Sequence, residues 1–580
     1  MKNQPRRPDH PFLTAALVLS TLAAGCTGEN SANCADASGA ECPAGGPGAA
    51  PPSTQPVEGA PPASGTPGTP PEGSGPGVSP TDPPAPNPQP TPEPEPTPGL
   101  PTTPAPPQET VRPGAGAGIG PALDRTRYDR LLWVSLEGSD QQTGAEDRPL
   151  RTITQAIAKA TPGTGIVVRG GTYPERLRIS GKDGRADAPF TLVAAPGERV
   201  LVKGGNGGTQ ALLDVRSAYW RVIGMTFDVG GDRAFAAIWR EGGRHGELRK
   251  CELMNGTLGA GVTVALGGSD VLIEGNHIHD FRISGDDSHG VLAQTSSARV
   301  VVRNNDIHGN SGDAVQCLGP EGGATVSGTP FDDLVIENNL LHGNDENGVD
   351  IKTCTNVTVR GNDIYDHRPT SRSRGEGIVI HLSAEHVYVE ENRLWGNGRG
   401  ISLGGVVQGS LPNDLVVRRN VVWNGVTTNG GEGSGIRVDS VTNAQVIHNT
   451  FHGLPGFCLS VGNGDNGNSS NITIQNNIFS DCGLAVRRGS RLNNVRMDSN
   501  LYHRSSGSLS FQVGSTRSFS QWRSDTGFDS ESIEAAPGFM DASKADFRLR
   551  PGSAAIDRGT GVGEGSCGRG PDLGAIESCG

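Results

Sequence analysis

The second half of the chain repeats a ten-residue pattern in which apolar and polar positions alternate before an asparagine. Its first copy reads Val271-Leu-Ile-Glu-Gly-Asn276-His-Ile-His-Asp280. The alternation predicts short β-strands that bury one face, and one asparagine per copy predicts a fixed bend whose amide pairs with the asparagine of the next copy. The repeated asparagines stand 23 to 34 residues apart, at Asn276, Asn305, Asn339, Asn362, Asn392, Asn420, Asn449, Asn477 and Asn500.

This spacing predicts a solenoid. A minimum of 23 residues with a variable excess fits one coil of parallel β-strands plus loops of differing length. Leucine-rich repeats need more leucine, and propeller blades need a longer and steadier period. We therefore predict an all-β fold in which coils stack along one axis.

A second strand of the pattern Gly-apolar-x-apolar-x lies between successive asparagine repeats, for example Gly348-Val-Asp-Ile-Lys352. Residues at equal positions of stacked strands lie about 4.8 Å apart and form columns on the outer face. The middle coils are rich in charge, and arginine suits the carboxylates of an extended anionic polymer; a solvated solenoid face is the alternative interpretation. The charged residues predicted on this face are Asp313, Asp350, Lys352, Glu376, His381, Arg399, Arg437 and Asp439, with Arg368, Arg372 and Arg374 in an adjacent loop.

A third column follows the asparagines by three residues and is rich in rings. Stacked rings in this position shield a strand edge, which is the structural interpretation; a sugar-stacking platform around Tyr365, Trp395 and Trp423 is the functional one. A metal site on the histidines is disfavoured because the column contains no supporting carboxylate. Its members are His279, His308, His342, Tyr365, Trp395, Trp423, His452, Ser480 and His503.

The first 26 residues carry the features of an export signal. Lys2, Arg6 and Arg7 precede an apolar stretch, residues 12–24, that is too short to span a membrane. The phrase Leu22-Ala-Ala-Gly-Cys26 resembles a bacterial lipobox and predicts Cys26 as the lipid attachment site; an ordinary secretory peptide is the alternative. We therefore expect an exported protein that is lipid-anchored at the cell surface or outer membrane, and otherwise secreted.

Composition divides the rest of the chain. Residues 27–122 are rich in Pro, Gly, Ser, Thr and Ala and predict a disordered, semi-stiff linker. We then expect an N-terminal cap with the first coils (123–205), the β-helix repeats (206–505) and a C-terminal cap (506–580). The net charge of −13 argues against a nucleic-acid partner, and we expect a monomer that contacts a membrane only through its lipid.

Both ends of the folded part resemble those of right-handed parallel β-helix proteins of the pectate-lyase-like superfamily. Near the start, Trp133-Val-Ser-Leu-Glu-Gly-Ser-Asp140 and Arg169-Gly-Gly-Thr-Tyr173 carry the resemblance, and Thr152-x-x-Gln155 is a capping box for a helix that closes the first coil. Near the end, Asp546-Phe-Arg-Leu-Arg-Pro-Gly-Ser-Ala-Ala-Ile-Asp557 carries it. The resemblance implies a right-handed parallel β-helix with an N-terminal capping helix and a C-terminal cap.

The enzyme pattern that the chain most resembles is that of polysaccharide lyase family 9. That family binds Ca²⁺ with a cluster like Asp-Asp-Gly-x-Asp and an aspartate from the preceding coil. Glu346-Asn-Gly-Val-Asp350 is similar to the cluster, so the resemblance implies Ca²⁺ bound by Asp313, Glu346 and Asp350. The family's base is a lysine in a phrase like Gly-Phe-Lys-Leu-Gly-Gly, where this chain has Ser402.

Two functional hypotheses follow. In the first, a surface-anchored protein cleaves an acidic, uronic-acid polysaccharide by β-elimination. In the second, a non-catalytic polysaccharide-binding or adhesin-like solenoid uses the same face. Hydrolysis and epimerisation have no further support in the sequence. For the lyase, Lys352 is the first candidate for the base and His381 and Arg437 are the alternatives, while Arg368, Arg372, Arg374, Arg399, Trp395 and Trp423 would bind substrate.

Cysteines in an exported protein are expected to pair. We predict a disulfide between Cys567 and Cys579, and consider Cys34–Cys42 and Cys458–Cys482 as further pairs. Cys26 takes one of the ten cysteines, which leaves an odd number and at least one thiol that is free or intermolecular. The candidates for that thiol are Cys251, Cys317 and Cys354.

Overall fold

The structure is a computed structural model, and it describes residues 112–208, 210–319, 328–371, 373–405, 409–561 and 566–579. The predicted lipid attachment site Cys26, the predicted linker up to residue 111, the Cys34–Cys42 pair and Arg372 lie outside the described residues. Within those ranges, no helix has the length and apolar character that crossing a membrane requires.

The described chain winds into a right-handed β-helix whose coils build three sheets of 14 strands each. Strands within each sheet pair in parallel, except for the last pair of the second sheet. The first sheet contains Arg130–Val134, Thr164–Val168, Phe190–Ala194, Trp220–Ile223, Arg244–Arg249, Ser269–Glu274, Ala298–Arg303, Phe331–Glu337, Cys354–Arg360, Glu385–Glu390, Asn413–Arg418, Thr442–Ile447, Ser469–Gln475 and Leu492–Asp498.

The other two sheets complete each coil. The second sheet contains Leu177–Ile179, Leu213–Val215, Ala237–Trp239, Gly259–Val264, Ser288–Gln294, Val315–Leu318, Val349–Ile351, Glu376–Ile380, Arg399–Gly404, Ser434–Asp439, Phe457–Val461, Leu484–Arg488, Phe511–Val513 and Ser515–Arg517. The third sheet contains Gly171–Tyr173, Val200–Lys203, Thr226–Asp228, Glu252–Met254, His277–His279, Asp306–His308, Leu340–His342, Asp363–Tyr365, Arg393–Trp395, Val421–Trp423, Thr450–His452, Ile478–Ser480, Leu501–His503 and Ile533–Glu534.

Period-two alternation sends every second side chain of a coil into one continuous core. In Cys354–Arg360, for example, Val357 and Val359 are buried at 0% exposure while Thr358 between them faces outward. The apolar positions of the sequence repeat are therefore the core positions of the solenoid. The all-β parallel solenoid predicted from the spacing is confirmed.

The asparagines form an unbroken ladder at the bend between the first and third sheets. From Asn276 to Asn500, each Nδ2 donates to the Oδ1 of the next asparagine at 2.9 to 3.1 Å. The residue before each ladder position has a left-handed backbone, with φ of 63° at Gly361 and 59° at Glu391. The bend leaves buried amides without sheet partners, and the asparagine side chains satisfy them.

Short helices lie at both ends. At the start, Ile153–Lys159 begins after Thr152, whose Oγ1 accepts from the backbone N–H of Gln155 at 3.2 Å, and it buries Ile153 against the first coils. Near the end, Phe519–Thr526 buries Trp522. The remaining elements are the 3₁₀ turns Arg125–Arg127, Thr428–Gly430 and Ala542–Lys544, and a two-stranded antiparallel sheet of Phe539–Asp541 and Asp546–Leu549.

Residues 112–120, which the sequence analysis assigned to the end of the linker, lie across the outside of the coils. The backbone N–H groups of Gly114, Gly118 and Gly120 donate to carbonyls of three different coils at 2.8 to 3.0 Å. Gly114 has φ of 72°, and a Cβ at this position would lie 2.7 Å from the Cβ of Asp306. The position therefore requires glycine, and contact with the β-helix begins before residue 122.

The structure contains three disulfides among the described residues: Cys458–Cys482, Cys567–Cys579 and Cys317–Cys354. Two of the three candidates for the free thiol, Cys317 and Cys354, pair with each other, because neighbouring coils bring their Cα atoms to 6.4 Å. Cys251 is buried, and burial raises the pKa of its thiol to about 12. Cys251 is therefore the free thiol of the three candidates, and it is unreactive.

Candidate functional site

The outer face of the second sheet carries the charged columns that the sequence predicts. Backbone pairing aligns one column in the predicted order, Leu292, Gln316, Asp350, Val379, Ser402 and Arg437. A neighbouring column aligns Glu376 with Arg399. We call the following outward residues of this sheet and its edges the charged strip: Asp313, Glu346, Asp350, Lys352, Glu376, His381, Arg399, Arg437 and Asp439.

Asp350 lies at the centre of the charged strip between His381 and Lys352. Its Oδ1 lies 2.8 Å from Nε2 of His381, and its Oδ2 lies 3.9 Å from Nζ of Lys352. Burial alone would raise the pKa of Asp350, but the charges of His381 and Lys352 and the hydrogen bond from His381 outweigh it and lower the pKa below its usual range. Asp350 is therefore ionised and fixes the orientation of the His381 ring.

Glu346 carries the most perturbed carboxyl group of the charged strip. Burial raises the pKa of Glu346 to about 10, and the negative charges of Asp313, Asp287 and Asp350 add to the effect. Several carboxylates converge on one buried place, so a cation there would relieve their repulsion.

Asp313 has a different environment from the one predicted. Its side chain is completely buried, its Oδ1 accepts two hydrogen bonds from Asn347, and its Oδ2 accepts one from Gln316. Nδ1 of His289 lies 3.3 Å from that second oxygen. Asp313 thus connects the coils on either side, and most of its acceptor capacity is already used.

The donors around Glu346 fit a hard cation. Gln316, which pairs in register with Asp350 and donates to Asp313, adds a buried Oε1 that has no hydrogen-bond partner within the described ranges. Carboxylate and amide oxygens are the ligands that Ca²⁺ prefers. The predicted trio Asp313, Glu346 and Asp350 is nevertheless not among the compact groups of ligand atoms found in the described chain, which both lie on the third sheet.

Arg399 is held by two glutamates. Its guanidinium donates to Glu376 and to Glu432, each at 2.8 Å. Burial would lower the pKa of Arg399, but the charges and hydrogen bonds of the two carboxylates raise it. The columns deduced from the sequence place Glu376 beside Arg399. They do not include Glu432, because it belongs to a loop. Arg399 is therefore committed to an internal ion-pair network and orients neighbours rather than facing a polymer.

The other predicted arginines are more accessible. Arg437 pairs with Asp439 at 2.9 Å and keeps 22% of its side chain exposed. Arg368 pairs with Asp366 at 3.2 Å and is exposed, as is Arg374. The loop that carries Arg368 and Arg374 contacts the chain next to the second sheet, because the Ser373 hydroxyl donates to the side-chain oxygen of Asn347 at 3.1 Å.

Ser402 lies in this column between Val379 and Arg437. Its hydroxyl is buried and has no hydrogen-bond partner within the described part of the chain. A lysine at this position would add a positive charge beside Arg437, whereas serine adds none. The cationic groups nearest to the middle of the strip are thus supplied by neighbouring coils.

The ring column exists as predicted, but its two tryptophans differ. His342, Tyr365, Trp395 and Trp423 stack in succession with centroids 4.4 to 4.9 Å apart. Trp423 is only 6% exposed because the C-terminal segment covers it with Phe547, whose ring centroid lies 5.5 Å away. Trp423 therefore offers no open face to a sugar, in contrast to the sequence-based proposal, and Trp395 stays half-buried.

The histidine end of this column holds the residues that sequence reasoning missed. Two groups of three side chains have all their ligand atoms within 4.8 Å of one another. Each contains a carboxylate from the first position of a third-sheet strand, which the sequence analysis did not consider. The alternation of a β-strand puts the Asp306 carboxylate and the His308 ring on the same face of Asp306-Ile307-His308. This alternation is the sequence signal from which the group could have been predicted. The groups are Glu252, His277 and His279, and Asp306, His308 and His342.

Comparison with known families agrees with this architecture. The model for the right-handed β-helix region matches residues 231–331 and 326–469, and the model of a domain of unknown function, DUF1565, matches residues 136–178. YwoF, an uncharacterized protein of Bacillus subtilis (strain 168), is 26% identical over 479 residues, which cover 73% of this chain and 92% of YwoF. The pectate lyase PEL9 of Emericella nidulans is 32% identical over 170 residues, which cover 29% of this chain and 38% of that enzyme's length.

Solved structures with similar coils include two lyases. Pectate lyase Pel9A aligns with a TM-score of 0.39 and 15% identity over 80% of this chain and 100% of its own. The alginate lyase AlyGC aligns with a TM-score of 0.48 and 15% identity over 69% of this chain and 55% of its own. The continuous core, the three sheets and the matched model of the right-handed β-helix region lead to one conclusion: the chain is a right-handed parallel β-helix protein, and part of it is similar to a pectate lyase.

Proposed function

We propose that this protein cleaves a uronic-acid polysaccharide by β-elimination on the charged strip. The observation that carries the proposal is the contact of 2.8 Å between Nε2 of His381 and the ionised Asp350, beside Lys352. When Nε2 of His381 donates its proton to Asp350, Nδ1 of the same ring is left as a proton acceptor, and the Lys352 side chain lies nearby. Similarity to the pectate lyase PEL9 over 170 residues supports the same reaction class.

β-Elimination needs a base and a partner for the substrate carboxylate. The base removes the C5 proton of the uronide, and the C–H electron pair forms the C4–C5 double bond. The C4–O bond breaks, and the glycosidic oxygen leaves with its electrons and takes a proton from solvent. Positive charge beside the C5 carboxylate stabilises the carbanion-like transition state.

We assign the base to Nδ1 of His381. As the ring takes the proton, the adjacent Asp350 carboxylate stabilises the imidazolium, as a carboxylate does for a catalytic histidine elsewhere. Lys352 forms an ion pair with Asp350, with its Nζ 3.9 Å from Oδ2. Lys352, the first choice from sequence, therefore suits binding of the substrate carboxylate better than proton abstraction, and Arg437 lies three coils further along for a further uronate.

Calcium binding is the second part of this proposal. Glu346 and Asp350, with the amide oxygen of Gln316 and one oxygen of Asp313, are the residues that would hold Ca²⁺. When bound, Ca²⁺ would neutralise a uronate carboxylate and acidify its α-proton. The perturbed Glu346 and the unpartnered Gln316 oxygen support this placement.

Lyase activity on the full chain tests the proposal. We expect ultraviolet absorbance of an unsaturated uronide to rise with one of pectate, alginate or a glycosaminoglycan as substrate. A chelator should abolish the signal and Ca²⁺ should restore it, whereas Zn²⁺ should not. Flat traces on every acidic polysaccharide, in a sample that unfolds cooperatively, would contradict the proposal.

A non-catalytic polysaccharide-binding solenoid is the second candidate. The serine at position 402 and the internal pairing of Arg399 favour it, since both reduce the cationic groups open to a substrate. Retardation of one acidic polysaccharide in native electrophoresis without any absorbance change would establish this alternative.

We also propose that the protein is exported and anchored through a lipid on Cys26. Replacing Cys26 by Ala removes the thiol that would be acylated, so Cys26→Ala should lose incorporated radiolabelled palmitate and leave the membrane fraction. Replacement of the nearby Thr27 by Ala should change neither measurement. Equal labelling of wild type and Cys26→Ala would contradict the lipid anchor.

A further inference from the structure

Four histidines lie together on the outer face of the third sheet. In-register pairing aligns His279 with His308 and His308 with His342, and it places Asp306 beside His277. The rings are separated by 4.1 to 5.3 Å from centroid to centroid. The cluster spans three successive coils and is separate from the charged strip, which belongs to the second sheet.

The nitrogen and oxygen atoms of this cluster converge instead of pointing apart. Nε2 of His277 lies 2.8 Å from Nε2 of His308, and Nε2 of His342 lies 3.0 Å from Oδ1 of Asp306. The ligand atoms of Asp306, His308 and His342 all lie within 4.8 Å of one another. Two ring nitrogens that face each other share at most one proton, so this contact brings at least one lone pair into the cluster.

We propose that Asp306, His308 and His342 bind one divalent transition-metal ion of the zinc type, with His277 as the fourth ligand. Metal–ligand bonds of about 2.0 to 2.1 Å in a tetrahedral site place the ligand atoms about 3.3 Å apart. Two of the separations, 2.8 Å between His277 and His308 and 3.0 Å between Asp306 and His342, reach that value after small side-chain rotations. The ligand atoms of Asp306, His308 and His342 otherwise lie within 4.8 Å of one another and would have to draw together around the ion. Three imidazoles and one carboxylate select zinc, copper or nickel over calcium or magnesium.

The contacts of Asp306 support its assignment as a ligand. Its Oδ2 lies 3.5 Å from the guanidinium of Arg112, a residue of the segment that crosses the coils. That contact orients the carboxylate and leaves Oδ1 facing His342, in the way that outer partners commonly orient metal ligands. A bound ion would therefore link three coils and lie beside the point where the N-terminal segment meets the β-helix.

The neighbouring group of Glu252, His277 and His279 is the less suitable site. Nε2 of His279 is buried and has no hydrogen-bond partner within the described ranges, but Glu252 is engaged by Arg199 and by the Thr226 hydroxyl. Its oxygen lies 3.7 Å from that nitrogen. Nε2 of His277 already faces His308 at 2.8 Å, so this group would keep only two ligands of its own.

Calorimetric titration of the full, tag-free chain with Zn²⁺ tests the proposal after chelator treatment and dialysis. We expect the wild type to bind one equivalent of Zn²⁺. His308→Gln and His342→Gln should each weaken Zn²⁺ binding at least 10-fold. Excess Ca²⁺ should leave the affinity of the wild type for Zn²⁺ unchanged. Co²⁺ should give the visible absorption of a tetrahedral complex in the wild type. Zn²⁺ should also raise the melting temperature of the wild type and not of these variants.

His386→Gln is the matched control, since His386 also pairs with a carboxylate, Asp414, at 2.7 Å but lies on the first sheet without a second histidine. It should bind Zn²⁺ like the wild type. Absence of saturable binding in the wild type, or unchanged affinity in both His308→Gln and His342→Gln, would overturn the proposal. A loss confined to His279→Gln would instead locate the ion at the Glu252 group and overturn the assignment. Lyase activity does not enter any of these readouts, so the metal site and the proposed function fail independently.

Discussion

His381→Gln is expected to reduce kcat of the lyase reaction by about 10²- to 10⁴-fold, the range that general base catalysis contributes. Glutamine retains a polar group that can bond to Asp350 at the position of Nε2, but it has no basic nitrogen to take the C5 proton. KM should change little, because the lost interaction forms only as the proton is transferred. Initial rates of unsaturated uronide formation over a range of substrate concentrations provide both constants.

Two further variants make this prediction specific. His386→Gln leaves the charged strip intact, and we expect wild-type kcat and KM. Lys352→Ala removes the ammonium group near Asp350 and should mainly raise KM, because its proposed role is to bind the substrate carboxylate. A greater kcat loss in Lys352→Ala than in His381→Gln would return the role of base to Lys352 and contradict the assignment made here.

The repeat pattern predicts which face each residue occupies, and this explains how much of the fold could be deduced. Period two and one asparagine per coil determine the core, the ladder and the order of the column from Leu292 to Arg437. The repeat pattern does not predict the side-chain partners that come from loops. Glu432 reaches Arg399 from a loop whose course no periodicity describes, so the sequence predicted an open arginine where the structure has an ion-pair network.

Segments outside the repeat explain the other differences. Trp423 was expected to be an exposed platform, but Phe547, 124 residues later in the chain, folds back over it. The sequence did not predict a metal site at the histidine cluster, because only one position of each third-sheet strand was considered. Including the residue two positions earlier would have identified Asp306 as a carboxylate beside the rings.

Asn392→Ala is expected to lower the free energy of unfolding by roughly 2 to 6 kcal/mol, since the buried Asn362 N–H and Val359 carbonyl lose the side chain that pairs with them and each such group costs roughly 1 to 3 kcal/mol. Oδ1 of Asn392 accepts from the backbone and side-chain nitrogens of Asn362, and its Nδ2 donates to Val359 and Asn420 at 2.8 and 2.9 Å. Asn392 is fully buried, so water cannot replace these bonds without opening the bend. Urea unfolding followed by far-ultraviolet circular dichroism, with the melting temperature as a second readout, measures the loss.

The ladder's contribution is separated from that of asparagine in general by a second substitution. Asn493 lies in a strand of the first sheet, is exposed, and is absent from the ladder, so Asn493→Ala should change stability by no more than about 0.5 kcal/mol. Similar unfolding midpoints for the two variants would show that the asparagine ladder contributes little. Both substitutions remove the same atoms, but only Asn392→Ala leaves buried groups unpaired. An unfolding midpoint that falls only in Asn392→Ala would therefore show that hydrogen bonds to the buried polar groups of the bend stabilise the stacked coils, in addition to the packing of the core.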